Sequence, residues 1–427
     1  MIALVLLFGA PEATPTFHKE VVRILHAHCT TCHREGEAGP FPLLTYADAR
    51  KRAKLIARVV GDKTMPPWMP NSARGEFHDD RRLGTAQIET IQKWVKAGAP
   101  EGESTDAPPA PKFKTGWQLG KPDVVLKMPK PFKIPAEGRD IYWHFVFPLN
   151  LKKETYLRGI ETRPGNRRVA HHAVGILDTS GTARRLDAKN GGNGYPGYGP
   201  GFLPAGFTPG YAPGATPRFF DKDQAITLKP GTDFVLQMHY HPSGKEETDQ
   251  TEIGLYFTDR KPPKGIVIIA MASEEIDIPA GEKSYRATDR FKLPVDMEIR
   301  SVWAHMHTIG KTVKVTATLP NGTKRELLHI PDWDFNWQDT YLYRKPFKLP
   351  KGTIVDAEWT WDNSADNPRN PFTPPRRMRL GEDSTDEMSG LILGGVCNTW
   401  FDELSHWGAV IGHYFEVAKK GAKYKRK

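Results

Sequence analysis

The chain has 427 residues, 38% of them apolar with 11 Trp, 13 Tyr and 20 Phe; at roughly 100–200 residues per domain it holds two to four domains, each with a core, which excludes wholesale disorder, collagen and coiled coil. With 39 Gly and 37 Pro, the two types reach about 18% against a typical ~12%, which disfavours long helices and predicts a mainly β protein. The net charge is +10, but Lys419, Lys420, Lys423, Lys425, Arg426 and Lys427 supply six of it, so the nearly balanced body argues against a nucleic-acid partner. Residues 418–427 read as a solvated basic tail, with weak contact to a membrane surface or an acidic partner as the lesser reading.

Residues 2–10 (IALVLLFGA) are an unbroken apolar run of nine, too short to cross a bilayer and followed by Pro11 and Pro15. Taken as a segment of 1–16, the run resembles a signal-peptide h-region and implies a periplasmic or otherwise exported protein. It lacks a basic flank and a small-x-small cleavage site, so a start truncated within the leader or an N-terminal membrane anchor is the second reading and a buried strand the third.

Cys29-Thr30-Thr31-Cys32-His33 has the C-x-x-C-H spacing of c-type haem attachment, in which two thiols form thioethers and the adjoining His ligates iron. A zinc half-site or a redox C-x-x-C is the alternative; zinc wants a second soft pair, and the remaining thiol, Cys397, is far along the chain. A sixth ligand is expected in the Pro-rich stretch TMPPWMP, with Met65 first and Met69 as the fallback, because a thioether stabilises ferrous iron and suits electron transfer. Residues 85–97 place Ile88, Ile91, Trp94 and Val95 on one helix face between Thr85 as cap and Gly98 as stop. The small helical unit over 17–105, with the haem motif near its start, a Met loop and a closing helix, resembles class I cytochrome c. His26 and His28 read as helix surface or haem-edge packing.

Residues 106–118 open with DAPPAPKFKTG and predict a semi-rigid linker. Beyond it, short apolar runs at 123–128, 232–240, 252–257, 265–270, 311–319 and 353–360 are separated by Gly, Pro, Asn and Asp, which predicts two antiparallel β-sandwiches, at 119–260 and 261–417. Residues 191–214 contain nine Gly, five Pro and five aromatics in 24 residues, and are expected to form one long functional loop between two histidine clusters.

Those clusters are His171-His172, His239-Tyr240-His241 and His305-Met306-His307, with Met388 following in Asp386-Glu387-Met388. On a strand His305 and His307 share a face, whereas adjacent His171 and His172 converge only at a bulge or a strand end. Each pair alone is a weak signal, and a lone strand His is more often a satisfied core or surface residue. Together, neutral imidazoles and one thioether make a site for copper cycling between Cu(I) and Cu(II); zinc remains an alternative for an all-His group.

The order HH, Q-x-H-Y, H-x-H-x-x-G-K and D-E-M across about 131–416 resembles the copper type II, ascorbate-dependent monooxygenases, the family of peptidylglycine α-hydroxylating monooxygenase and dopamine β-monooxygenase. That resemblance implies two jelly-roll domains, each with one copper, facing across a solvent-filled cleft. It implies His171, His172 and His239 as ligands of an electron-storing copper, with His241 as an alternative, and His305, His307 and Met388 as the catalytic ligands of an oxygen-binding copper. In the peptidylglycine branch an Arg, an Asn and a Tyr hold the peptide carboxylate; Trp303, Gly390 and Ile392 stand there in this chain, so a C-terminal glycine peptide is not the expected substrate. The disulfides of the animal enzymes are also excluded, because one Cys remains after haem attachment. Trp303 is a candidate for the wall of an apolar substrate pocket, and Trp333, Phe335, Trp337 and Tyr341 for either pocket or core.

The expected function is therefore C–H hydroxylation of a small organic molecule with O2, using two coppers and one covalently attached c-type haem. Electrons would come from an ascorbate-like reductant or a redox protein. A non-catalytic copper and haem electron-transfer protein is the alternative, and a c-haem peroxidase with a β-sandwich binding module is the third reading.

Overall fold

A computed structural model describes residues 13–424, and contacts group them into two units. The apolar run at 2–10 and the last three basic residues lie outside the described residues.

The first unit holds the chain up to Trp68 together with Arg81–Phe113 and contains α1 (Val22–His28), α2 (Tyr46–Gly61) and α3 (Thr85–Lys96). A single π-helical turn, Phe17–Val21, leads into α1. α2 begins where Thr45 and Asp48 cap one another, Asp48 N donating to Thr45 Oγ1 at 3.2 Å and Thr45 N to Asp48 Oδ2 at 3.1 Å. Its buried residues Ala49, Ala53, Ile56 and Val60 follow the helical period. The cap of α3 is Gly84 rather than the expected Thr85: the Gln87 side chain reaches back to accept Gly84 N at 2.8 Å, which makes Thr85 the first helical residue. Ile91 and Trp94 are fully buried, Ile88 and Val95 pack at the rim, and Phe17, Val21, Leu25, Ile56 and Val60 complete the core.

The second unit holds Met69–Asp80 and all residues from Lys114. Its first strands are β1 (Val124–Lys127), β2 (Phe132–Ile134), β3 (Ile141–Pro148), β4 (Thr155–Arg163), β5 (Ala170–Asp178), β6 (Tyr195–Pro196), β7 (Gly206–Tyr211), β8 (Gln224–Leu228), β9 (Asp233–Tyr240), β10 (Glu247–Asp249) and β11 (Glu252–Thr258), with α4 (Thr182–Lys189) after β5. Then come β12 (Lys264–Met271), β13 (Asp277–Ile278), β14 (Tyr285–Lys292), β15 (Met297–Met306), β16 (Gly310–Thr318), β17 (Lys324–Ile330), β18 (Thr340–Leu349), β19 (Ile354–Trp361), β20 (Met378–Arg379), β21 (Ser389–Val396) and α5 (Trp400–Tyr424). The chain is mainly β, as its Gly and Pro content predicts.

An eight-stranded sheet, β1-β11-β4-β8-β12-β21-β15-β18, draws strands from both sides of the expected boundary near 259–264. The two halves meet in the parallel pair β8–β12, through Gln224–Lys264 and Ala225–Gly265. A five-stranded sheet, β6-β3-β9-β5-β7, shares one apolar core with β4, β8 and β11, built from Phe145, Phe234, Leu236, Met238, Ile253 and Leu255. A four-stranded sheet, β14-β19-β16-β17, buries alternate residues such as Val355, Ala357, Trp359 and Trp361, the pattern of a sheet with one face on a core.

Three expectations are corrected. Residues 69–80 do not join the helical unit: Asn71 N donates to His329 O at 2.7 Å, His78 N to Leu342 O at 2.8 Å, and Phe77 bridges to Tyr343, which ties the segment to β17 and β18. Residues 191–214 are not one open loop, since β6 and β7 add to the edges of the five-stranded sheet, where a Cβ on Gly210 would lie 1.7 Å from Ala173 O. That approach explains the glycine. The tail from 418 is helical to residue 424 as the end of α5, because Thr399 and Asp402 form a capping box that starts a 25-residue helix.

Candidate metal centre

Strand register assembles the first group of histidines. His239 on β9 lies directly opposite His172 on β5 and Tyr142 on β3, so the three side chains share one sheet face. The β5–β9 register shifts between Ala170 and His172, which supplies the irregularity that lets His171 turn to the same side. His239 Nδ1 stands 3.2 Å from His171 Nδ1 and 3.0 Å from His172 Nε2. Nitrogens take this spacing when they share an ion at about 2.0–2.1 Å. These three are the one group of His, Cys, Asp or Glu with metal-holding geometry among the described residues.

Buried Asp140, which sequence reading missed, orients the group. His239 Nε2 donates to Asp140 Oδ2 at 3.0 Å, which leaves the Nδ1 lone pair pointing at His171 and His172. Burial alone would raise the Asp140 carboxyl, but the bonds from His239 and His241 outweigh it and hold it far below the ordinary carboxylate range. His241 is exposed and bonds Asp140 Oδ1 at 2.6 Å, so the alternative ligand stands outside the nitrogen cluster. Burial, with His239 nearby, lowers His171 to about 3, and burial lowers His172 and His239 as well. All three are neutral imidazoles with lone pairs to offer. Tyr142 stacks on His239 with centroids 4.2 Å apart.

The second group follows β15, where Trp303 and His305 alternate onto one face and stack at 5.5 Å, with His307 just beyond the strand end and its ring 5.0 Å from that of His305. His305 Nδ1 lies 2.5 Å from Gln338 Oε1, and Gln338 Nε2 donates to Phe335 O at 2.9 Å, so the amide orientation makes His305 Nδ1 the donor. His307 Nδ1 donates to Asp386 O at 3.2 Å. Both Nε2 atoms are buried, and no donor reaches them among the described residues. A buried acceptor without a partner costs about 1–3 kcal/mol, a penalty that ligation of a cation removes. Burial lowers His305 to about 4, against the Gln338 bond, and burial with His305 nearby holds His307 well below its ordinary value.

Met388 is buried and directly precedes β21, whose Ser389 pairs with Met306 of β15. Glu387, also missed from sequence, is a buried hub. It accepts His307 N at 3.0 Å, Ile309 N at 2.8 Å, Trp361 Nε1 at 2.8 Å and Met388 N at 3.3 Å. Burial raises its carboxyl to about 8 in spite of these bonds.

The two groups touch, whereas the resemblance implies a cleft between them. His172 and His305 have ring centroids 6.4 Å apart, and Phe335 lies 4.7 Å from His171 and 5.8 Å from His307. Of the aromatic cluster around Trp333, Phe335 therefore belongs to the site, while Trp333 and Tyr341 are buried in the core.

In the first unit, α1 ends at His28, and His33 N donates to Cys29 O at 2.9 Å, so one turn carries Cys29, Cys32 and His33. Neither thiol is in a disulfide, and burial pushes the Cys29 thiol up to about 12, helped by Cys32. His33 Nδ1 donates to Phe41 O at 3.0 Å and leaves Nε2 as the lone-pair nitrogen, the form an axial ligand needs. A Cβ on Gly39 would lie 2.9 Å from His33 Nδ1, so the loop beside the motif requires glycine. His28 bonds Gln87 at 3.0 Å and His26 bonds Leu44 O at 3.3 Å, which fits a packing role. Met65 is half-buried in this unit, whereas Met69 belongs to the second, where its sulfur accepts Asp334 N at 3.2 Å. Met69 is engaged there, which argues against the fallback.

No protein-family model and no curated protein matches the chain. Among solved structures it is similar to peptide-N(4)-(N-acetyl-β-D-glucosaminyl)asparagine amidase, with 10% identity and a TM-score of 0.27 over 65% of this chain and 97% of that one. It is also similar to infectious bursal disease virus, Gx strain (8%, TM-score 0.21, 66% and 74% covered), and to the PBSX exported protein XepA (7%, 0.18, 56% and 86%). Likenesses this low define neither fold nor function.

Proposed function

We propose that this chain is an exported oxidoreductase, a copper-dependent monooxygenase that hydroxylates a C–H bond of a small organic substrate with O2 and receives electrons through its own c-type haem. In this reading the β-rich unit is a pair of jelly rolls and the helical unit is a cytochrome c domain. The observation that carries it is the adjacency of two sets of neutral, lone-pair-bearing imidazoles: the three converging nitrogens of His171, His172 and His239, and the buried, unpaired Nε2 atoms of His305 and His307, with Met388 just before the strand that pairs with β15.

When bound, copper at these residues supplies one-electron cycling and dioxygen activation, and a haem on Cys29, Cys32 and His33 supplies single electrons, two per hydroxylation. The protein's own part is to hold the donors. Asp140 fixes the His239 tautomer, Gln338 that of His305, and the Asp386 carbonyl that of His307. Met388 offers a soft donor that favours the reduced metal. Tyr142, Phe335 and Trp303 lie against the imidazole rings and keep water from them. Trp303, half-exposed beside His305, is the wall against which an apolar substrate would rest.

The test mixes reduced protein with oxygen and follows the haem spectrum. Haem oxidation should be fast in copper-loaded protein and slow after copper removal or in Met388→Ala. Equal rates in all three would leave a non-catalytic electron-transfer protein.

A further inference from the structure

α5 carries a surface chemistry unrelated to the histidines. Its two first-turn acids bond within the protein: Asp402 Oδ2 accepts Thr399 N at 3.1 Å, and Glu403 Oε1 accepts Gly265 N at 2.9 Å. Its inner side buries His406, Val410 and Val417, with His406 Nε2 donating to Ile268 O at 2.8 Å and His413 Nε2 to Asp289 Oδ2 at 2.8 Å. The outer side is apolar and open to solvent. Trp400 is 63% exposed, Phe401 76%, Leu404 53%, Ile411 36%, Tyr414 62% and Phe415 61%. Steps of three, four and seven, with exposed Gly408 in the seven-residue gap, keep these residues on one side of the helix. Ser405, Glu416 and the Tyr414 hydroxyl are its polar interruptions among the exposed residues from 400 to 416. A contiguous aromatic patch of this kind marks a contact surface.

Lys419 and Lys420 are exposed at the end of the stripe, and Lys423, Lys425, Arg426 and Lys427 follow in a stretch, 417–427, that has no acid. No helix among the described residues is long and apolar enough to cross a membrane. A second copy of the chain fits poorly as the cover, because the basic end finds a single acid, Glu416, on the outer side of a partner helix. An anionic bilayer satisfies both halves: aromatic and aliphatic side chains enter the headgroup boundary while lysines sit over acidic headgroups.

We propose that α5 is an in-plane anchor that docks the protein on an anionic membrane surface, with Trp400, Phe401, Leu404, Ile411 and Phe415 inserted and the basic end from Lys419 over the headgroups.

The test is co-sedimentation of the full chain with phosphatidylcholine vesicles, with and without about a quarter phosphatidylglycerol. Every variant keeps residues 2–10, so differences between variants report α5 alone. Binding should be strong on the anionic vesicles and weaken with added salt, which screens exposed charges. Lys419→Gln with Lys420→Gln should lower the partition coefficient about fivefold per lysine on anionic vesicles only. Trp400→Ser with Phe401→Ser and Phe415→Ser should lower it at least about tenfold on both kinds of vesicle, with the far-ultraviolet circular dichroism unchanged. Equal binding of this triple variant and the parent would overturn the proposal. So would a parent that ignores vesicles, including one that forms a dimer which the triple variant loses.

Discussion

Replacing Asp140 by Asn probes the three-histidine group through its support while leaving every ligand in place. The carboxylate accepts His239 Nε2 at 3.0 Å and His241 Nδ1 at 2.6 Å, and the negative charge keeps the His239 proton on Nε2. An amide presents one oxygen and one NH2 to the same two nitrogens, so one of them faces a donor. If that nitrogen is His239 Nε2, the proton moves to Nδ1 and blocks the atom that faces His171 and His172. Loss of such a support costs about 10–100-fold in metal affinity, or about 1.4–2.7 kcal/mol. The assay is a competitive chelator titration of Cu(II) on protein carrying His305→Ala, so that the first group is read alone. His241→Ala is the control: that side chain is 64% exposed and outside the nitrogen cluster, and its removal should change affinity less than about threefold. Equal effects of the two substitutions, or no effect of Asp140→Asn, would refute the assignment of Nδ1 as the donor atom.

Glu387→Gln, measured in urea titrations above pH 8 where the carboxyl is ionised, places an NH2 among four N–H donors in a buried setting and should lower unfolding stability by about 2–4 kcal/mol; a loss below about 0.5 kcal/mol would remove Glu387 as the tie between His307, Ile309 and Trp361. Thr45→Ala deletes half of the α2 capping box and should cost about 1 kcal/mol in the helical unit, read by denaturant titration of the haem band. Cys29→Ser should leave haem retained through a single thioether or lost, visible as a shifted pyridine haemochrome band. Burial lowers His406 below its ordinary value of 6.5, with the Ile268 bond opposing. The unfolded chain then takes up the proton first as pH falls through about 6.5, and stability drops by up to about 1.4 kcal/mol per pH unit until the lowered folded value is passed. His406→Phe should flatten that slope relative to the parent.

The six apolar runs that announced strands all lie on strands, because alternating β-branched and aromatic residues between Gly and Pro report local geometry directly. Their partners were not legible: β8 and β12 join the two halves through two residue pairs that carry no pattern of their own. Histidine motifs carried most of the imidazoles, since four of the five stand at the i, i+2 spacing or opposite one another in register. Their supports were hidden for a physical reason. Asp140, Gln338 and Glu387 support histidines 99, 33 and 80 residues away, and of the three only Glu387 stands in a motif, next to Met388. The contact of the two histidine groups depends on how the sheets pack, which residue order does not state. Thr399 and Asp402 carry the capping signal of α5, but its apolar residues fall on both the buried and the exposed sides, so no single amphipathic face marks the helix in the sequence.

Metal and haem content of the full chain, produced in a host that attaches c-type haem, tests the proposed function most directly. One haem and two coppers per chain are expected, with one copper lost in His172→Ala and the other in His305→Ala. A haem-loaded protein that holds no copper with all five histidines intact would contradict it.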